Sequence, residues 1–582
     1  MSCDKLVFDL SQEIEGSPNV FVKKDWLNIL DNQNGNYNSN QSIIDTSQLS
    51  NSNKYMSYRE AYLAMPMLLT LGTSSIATAG NFDPATAGGA TSADYAVGLK
   101  SWFGQMVHSI TLDYNGTTII QQTPFVNMWN SFKLLTTLSW SDVAVMGPTI
   151  GFYPDDPLSW SYQAAASATG IGVCNNTDFG TTVFGGVVQG VFNKYNSSGG
   201  NRGYLKRQQY INYDIDGTSG SGTFAGQLDT DQTSNLWKSY ISKKTDGVNN
   251  TTQGMFQITI TSVVYLKHLH SFFNMAPLLK GVFMKLTLTL NNTTVEFASA
   301  GAGGVLTLNS VSNAVGGVCP LMITSALANN GAVACFGAAT YRANLSVGAR
   351  CLDATLVQGG ASEGTEARSI YLYVPAYTFN PVFEQAYLSS PIKTIAYTDI
   401  YQYQITNIPA KTGQINNLLT NGIANIKSVL LLPFYAAQSN LIIGAAASAL
   451  PVYQSPYDPA GTGPTSPLCL LSNFNIVVSG QNTIYNTQRY SFEQFVNQLY
   501  GANAVNGGMV DGLNSSLIDQ LGFEMEYSYY YVDVSRMLPV EESVPKSVQV
   551  VGQNMSARAI DLWCFIEYGC SVSVDILTGA RV

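Results

Sequence analysis

Through much of this chain, apolar and polar residues trade places at every second position. In VFMKLTLTL (282–290), Val282, Met284, Leu286, Leu288 and Leu290 fall on one face and Lys285, Thr287 and Thr289 on the other. That period belongs to a strand buried on one side. ARSIYLYVPAY (367–377), KTIAYTDIYQYQI (393–405), FEMEYSYYYVDV (523–534) and CFIEYGCSVSVDIL (564–577) predict strands for the same reason. Helical spacing is confined to short stretches: TPFVNMWNSFKLL (123–135), YLKHLHSFFNM (265–275) and SFEQFVNQLY (491–500). Between FVKKDWLNIL and QSIIDTSQLS lies DNQNGNYNSNQ (31–41), whose Asn and Gly residues accept the left-handed backbone of tight turns; it is expected to be a polar loop between neighbouring strands.

One pattern occurs twice. ITLDYNGTTIIQQTPFVNMWNSF (110–132) predicts strand, Asn-Gly turn, strand and amphipathic helix, and IVVSGQNTIYNTQRYSFEQFVNQLY (476–500) predicts the same order. Phe125, Met128, Trp129 and Phe132 in the first have the spacing of Phe492, Phe495, Val496 and Leu499 in the second, one face of a helix. Thr123 and Ser491 stand where a side-chain oxygen can cap the helix. Downstream, FQITITSVVYLKHL (256–269) corresponds to FEMEYSYYYVDVSRM (523–537). Two matched units in one order imply a duplicated domain, each half an antiparallel sandwich with one face to the core. A length of 582 residues agrees, being too long for one ordinary core.

Composition narrows the function. Charged residues make up 11% of the chain, and Asn, Gln, Ser, Thr, Gly and Tyr take their place. A weakly charged, Tyr-rich surface loses little hydration when it packs against copies of itself. The formal charge of −10 opposes broad binding to nucleic acid, which needs a basic face. MSCDKLVFDLSQEIEGSPN carries acids where a secretion signal needs a basic start and an apolar core, so synthesis in the cytosol is expected. LIIGAAASAL (441–450) is half the length of a membrane span, and no transmembrane segment is expected. Cys3, Cys174, Cys319, Cys335, Cys351, Cys469, Cys564 and Cys570 are scattered without a CxxC and are expected to be reduced, small hydrophobes.

Candidate chemistry is sparse. Of His108, His268 and His270, the last two stand two apart on a predicted helix and so point in different directions, a poor metal pair. Asn212, Asp214, Asp216 and Gly217 in NYDIDGTSGSGT match the first half of a calcium loop, but Thr223 replaces the bidentate Glu, which favours an acidic surface turn. Asp155 and Asp156, between two prolines, predict a turn and not an acid/base pair. The sequons NGT (115–117), NNTT (249–252) and NNTT (291–294) are expected to be unmodified. With no GxSxG, P-loop or HExxH, the expectation is a protein that is not an enzyme, with no catalytic, cofactor-binding or metal residues and no cofactor.

The stretch FVKKDWLNILDNQNGNYNSNQSIIDTSQLSNSNKYMSYREAYLAMPMLLTL resembles the N-terminal part of the major capsid proteins of virophages and polinton-like viruses. RSIYLYVPAYTFNP (368–381), NGIANIKSVLLLPF (421–434), FNIVVSGQN (474–482), NGGMVDGLNSSLI (506–518), YYYVDVSRM (529–537) and PKSVQVVGQN (545–554) extend the resemblance over most of the chain, less the loops between about 150 and 255. It implies an all-β protein of two tandem antiparallel jelly-roll sandwiches with a few short helices and long loops. It also implies a structural virion protein whose homotrimers are pseudo-hexameric capsomers of an icosahedral shell, with penton and minor or cement proteins as further partners. The expected division is an arm over 1–14, a first jelly roll over 15–357, a linker over 358–367 (QGGASEGTEA) and a second jelly roll with a C-terminal tail over 368–582. Both chain ends are expected to serve as ordering arms. The competing class is a β-sandwich adhesin or carbohydrate-binding fibre, drawn from the Tyr and Trp content and the Asn-rich loops.

Overall fold

The computed structural model describes residues 19–73 (less 51), 95–155, 252–300, 305–325, 340–353 (less 349–350), 368–436, 469–484, 490–505, 517–535 (less 526) and 543–582 (less 557, 577 and 579). It also describes 161–163, 187–189, 207–210, 239–245, 451–454, Gly203, Pro456 and Thr465. The calcium-like stretch at 212–223, the expected linker at 358–367, Asp156, Cys3, Cys174, Cys335, residues 249–251 of a sequon and the N-terminal arm lie outside them.

The first sandwich starts with β1 (Phe21–Leu30), β2 (Gln41–Asp45), β3 (Tyr62–Thr73), β4 (Val107–Tyr114) and β5 (Thr117–Ile120). It continues with β6 (Thr252–Tyr265) and β7 (Met284–Leu290). An outgrowth of β8 (Thr293–Ala300), β9 (Val305–Asn313) and β10 (Thr340–Val347) follows, and β11 (Tyr371–Phe379) completes the unit. One sheet runs β1-β11-β3-β6 and the other β2-β7-β4-β5, all antiparallel. In VFMKLTLTL, Met284, Leu286 and Leu288 are buried and Lys285 and Thr287 half-buried, as the alternation predicts, but Thr289 is buried too and accepts from the Ser109 hydroxyl at 2.8 Å.

Among the described residues the second sandwich has eight strands: β12 (Ile392–Ile408), β13 (Gly413–Ile423), β14 (Ile426–Tyr435), β15 (Leu471–Val478), β16 (Gln481–Asn482), β17 (Tyr530–Asp533), β18 (Lys546–Asn554) and β19 (Ile560–Asp575). Its sheets run β12-β19-β14-β17 and β13-β18-β15-β16. With the outgrowth set aside, along with the added strands Tyr55–Met56 beside β11 and Ser239–Thr245 beside β6, both units follow one wrap: first-eighth-third-sixth and second-seventh-fourth-fifth. Apolar residues facing inward from both sheets fill each sandwich, and the buried side chains of the two units merge into one continuous core.

The duplicated segment seen in the sequence is β4–β5 followed by helix α1 (Val126–Thr137), and β15–β16 followed by a helix over Phe492–Val505. Both hairpins turn on two residues, Asn115-Gly116 (φ 45° and 79°) and Ser479-Gly480 (φ 48° and 81°). Positive φ at both central positions gives the twist that two-residue hairpins need. A Cβ at Gly480 would meet nothing within 4 Å, so Gly480→Ala isolates the backbone term. It should cost about 1 kcal/mol in urea unfolding, and a change near zero would show the turn is not strained.

DNQNGNYNSNQ is the loop between β1 and β2, with Asn34, Gly35 and Asn40 at positive φ. Tyr37 pins it: the ring is buried, and its hydroxyl accepts from the Ile370 amide at 2.7 Å.

The structure departs from the sequence reading in several of its elements. RSIYLYVPAY opens no second unit: β11 pairs with β1 (Phe21↔Phe379 to Leu30↔Tyr371) and with β3, closing the first sandwich. Alternation reports a half-buried strand but not its neighbours. Only part of FEMEYSYYYVDV is strand, since Gln520–Met525 is helical and β17 starts at Tyr530. A helix α2 (Trp140–Ile150) follows α1, started by a Ser139–Asp142 capping box. The C-terminal stretch folds back on its own strand: Val574 bridges Arg581, and the Val582 amide donates to the Ser573 carbonyl at 2.9 Å.

Candidate assembly interface

The junction between the sandwiches is a protein–protein interface inside one chain. Helix α1 lies across it, and it is buried nearly all round: Val126, Met128, Trp129 and Phe132, but also Asn127, Asn130 and Ser131, are at most 4% exposed. A helix with one apolar stripe would leave its polar residues wet. Here Asn127 donates to the Gln105 carbonyl, Asn130 to the Leu269 carbonyl and Ser131 lies 3.2 Å from the Ser101 hydroxyl, all within the first sandwich, while the second covers the aromatic side. Phe132 packs on Tyr529 and Tyr531 with ring centroids 5.2 and 5.7 Å away, and Trp129 on Phe565 at 6.2 Å. Phe125 meets Trp563 edge to face at 4.0 Å.

Those contacts explain how the helix starts. Phe125 is the N-cap in left-handed conformation (φ 59°), with no side-chain cap. Thr123, expected to cap, instead donates to the Ile400 carbonyl of the second sandwich at 2.8 Å. A non-glycine residue there costs about 1 kcal/mol, and the aromatic packing on Trp563 offsets it. Ser491 immediately precedes the matching helix in the second unit.

Polar contacts fix the register. The Tyr397 hydroxyl donates to the Ile119 carbonyl at 2.6 Å, and the Gln121 amide donates to Asp399 at 3.4 Å. Ser271 donates to the Thr398 carbonyl and accepts from its amide. His270 Nδ1 accepts from the Phe272 amide at 3.2 Å, so the ring proton sits on Nε2, 3.4 Å from Asp399. Lys133 lies over the Trp129 ring and 3.4 Å from Glu567, which also accepts from Ser428 at 2.8 Å. Burial works against the Glu567 carboxylate, but the Lys133 ammonium and the hydroxyls of Ser428 and Thr398 outweigh it and hold its pKa below the ordinary value.

The other candidate residues do not converge. His108 packs on Phe125, and burial lowers its pKa to about 4; burial and Lys267 lower that of His268, which lies edge-on to Trp102, to about 4. Asp155, expected in a turn, is buried and ion-paired with Arg207 at 2.5 Å. Asn291 and Asn292 are buried, against their use as sequons, and Asn115 is exposed. Among the described residues, Cys319, Cys351, Cys469 and Cys564 are buried and Cys570 half-buried, and none is in a disulfide. Among the described residues no cluster of three or more His, Cys, Asp or Glu could hold a metal, and no helix is long and apolar enough to cross a membrane.

The sequence reading missed that the β12-β19-β14-β17 sheet is covered on both faces. Ile560–Ile566 and Val429–Phe434 are buried at successive positions, with no alternation. The available signal was their unbroken apolar runs, LWCFI (562–566) and VLLL (429–432), which mark a strand with two dry sides. Two sandwiches of identical wrap, joined through such a sheet, decide the architecture. The chain is a double jelly roll.

No family model and no curated protein matches the sequence. Among solved structures, this double jelly roll is similar to a chain of the Sputnik virophage at 11% identity and a TM-score of 0.46, over 97% of this chain and 88% of that one. It is similar to the mavirus major capsid protein at 9% identity and a TM-score of 0.42 (96% and 89% covered). The Faustovirus major capsid protein gives 11% and 0.42 (94% and 90% covered).

Proposed function

We propose that this protein is the major building block of a virion shell, three copies closing into a pseudo-hexagonal capsomer. The observation that carries the reading is the pair of like-wrapped sandwiches held side by side by a buried junction. Three such chains present six similar barrels, and a head-to-tail contact that closes on itself makes a ring. The mavirus and Faustovirus chains it is similar to are major capsid proteins. Within this reading the first unit extends to Phe379, residues 380–391 with helix α3 (Pro381–Leu388) form the connection, and β12 opens the second. Penton and minor shell proteins would be further partners, in a virion assembled inside the host cell.

Light scattering of the purified chain should give a mass of three chains at micromolar concentration, with roughly hexagonal particles in negative stain. A single-chain mass would overturn the reading. If such monomers also bound glycan beads, the adhesin alternative would replace it; its support is the exposed Trp26 beside Tyr62 at 5.6 Å.

A further inference from the structure

Exposed apolar side chains are not spread evenly over this chain. β11 runs past Tyr62, the first residue of β3, to Phe379, where it meets Phe21 of β1. Both strands therefore project at the end of the first barrel away from the outgrowth, which is carried on β3 from Met67 onward. Helix α3 and the start of β12 follow directly from Phe379. Six of the large apolar side chains that the described residues leave exposed belong to this end: Val20, Phe21, Val22, Val382, Ile392 and Val582. Val22, Val382 and Val582 are 69, 72 and 67% exposed. Val582 is brought in by its amide, which donates to Ser573, and Ser573 pairs with Thr394 close to Ile392.

These side chains stand on a rigid base. Phe21, Tyr55, Tyr377, Phe379 and Tyr387 pack ring on ring, with centroids 4.6 to 5.8 Å apart. Lys24, Lys280 and Lys393 hold their ammonium groups over the rings of Tyr377, Tyr55 and Tyr387, at 5.1, 5.3 and 4.5 Å. Lys23 and Lys54 flank Asp25, and Arg581 bridges Val574, the partner of Lys393. The acids here are engaged: Asp25 by those two lysines, Glu60 by Lys24, Glu384 by Tyr55 and Lys280, and Asp575 by Thr578. Bases outnumber acids among the described residues of this end, in a chain whose formal charge is −10.

That mixture selects a partner. Lysine is depleted in contacts between proteins. Single-stranded nucleic acid stacks its bases on open aromatic faces, whereas here the rings are packed on one another and aliphatic side chains are left to the solvent. Aliphatic tips among lysines, whose stems lie along apolar surface, fit the boundary of an anionic bilayer: the tips enter the acyl region and the ammonium groups meet phosphate.

We infer that this end of the barrels binds the surface of an anionic membrane. The contact is peripheral, made by Val20–Val22, Val382 and Ile392 among the headgroups, with Lys23, Lys24 and Lys393 on the phosphates. It goes beyond the assembly reading and is compatible with it, since barrels standing side by side use their flanks and leave this end open.

The test floats the assembled protein with vesicles of phosphatidylcholine and phosphatidylserine in equal parts, and with vesicles of phosphatidylcholine alone. The protein should rise with the first and stay behind with the second, and added salt should release it. Val22→Glu combined with Val382→Asp should weaken binding by about tenfold or more. Residue 22 is on an edge strand in water, and an acid at 382 falls in the first turn of α3, where the helix dipole favours it, so the melting curve should not change. No flotation, or flotation undiminished in the double variant, would overturn the inference. Retention of duplex DNA by the parent but not by the double variant, without flotation, would assign this end to nucleic acid instead. The mass in light scattering is untouched by any of these outcomes, so the assembly reading stands or falls separately.

Discussion

Trp563→Ala is expected to destabilise the chain by about 3–5 kcal/mol, the usual cost of emptying a packed aromatic site. The side chain is fully buried on β19 and packs edge to face on Phe125 at 4.0 Å and Tyr453 at 4.5 Å, with Phe434 at 6.0 Å. Phe125 is from the first sandwich and Phe434 from the second, so the cavity opens on the seam between units. Collapse around it is opposed by Thr123 and Tyr397, whose hydrogen bonds pin the seam nearby. Two consequences separate this from an ordinary core deletion. Urea unfolding should split into two transitions, one per sandwich, as the shared side of β19 becomes wet. Assembly should weaken as well, because the rotation between the two barrels sets whether a ring closes. A loss below about 1 kcal/mol with one intact transition would mean that Trp563 does not hold the units together.

The second large effect is electrostatic. Lys133→Met removes the cation beside Glu567 and leaves a carboxylate whose side chain is 10% exposed. Breaking a fully buried pair costs about 3–5 kcal/mol; Lys133 is 30% exposed, so water reaches the pair and about 2 kcal/mol is expected at neutral pH. The sign with pH follows from the lowered pKa of Glu567. Its stabilisation is present above the unfolded carboxylate value of 4.5 and is lost as pH falls through the folded value. The parent protein should therefore lose stability on acidification below about that pH, whereas the variant, lacking the cation, should lose less over the same range. Chemical unfolding at pH 7 and in the acid range measures both slopes. Parallel pH profiles would show that the pair contributes nothing to the junction.

Local features were legible in the sequence and distant pairings were not. The hairpin-plus-helix repeat could be read because its signals lie within 25 residues: a turn dipeptide, two short strands and a 3.6-residue stripe. The loop at 31–41 could be read for the same reason. The ownership of Tyr371–Phe379 could not, because the strand closing a jelly roll pairs with the one that opened it. Here Phe21 meets Phe379, and no local pattern encodes a partner so far away. Thr123 misled because its hydroxyl serves the second sandwich instead of its own helix. Helix Gln520–Met525 was hidden in an alternating string whose first half is short enough to satisfy either period. The junction itself was half visible: the unbroken runs around Trp563 and Leu430 signal two dry sides, but not what dries them.

The outgrowth of the first sandwich is built on one of its core strands. β3 runs unbroken for 12 residues, about 40 Å at the usual rise. One of its edges pairs with β11 up to Ala64 and then with β10 from Met67 onward. Barrel and outgrowth therefore share a single beam, with no hinge between them. A force applied at the tip of the outgrowth would be delivered straight into the barrel, and heat should melt the two together in one step.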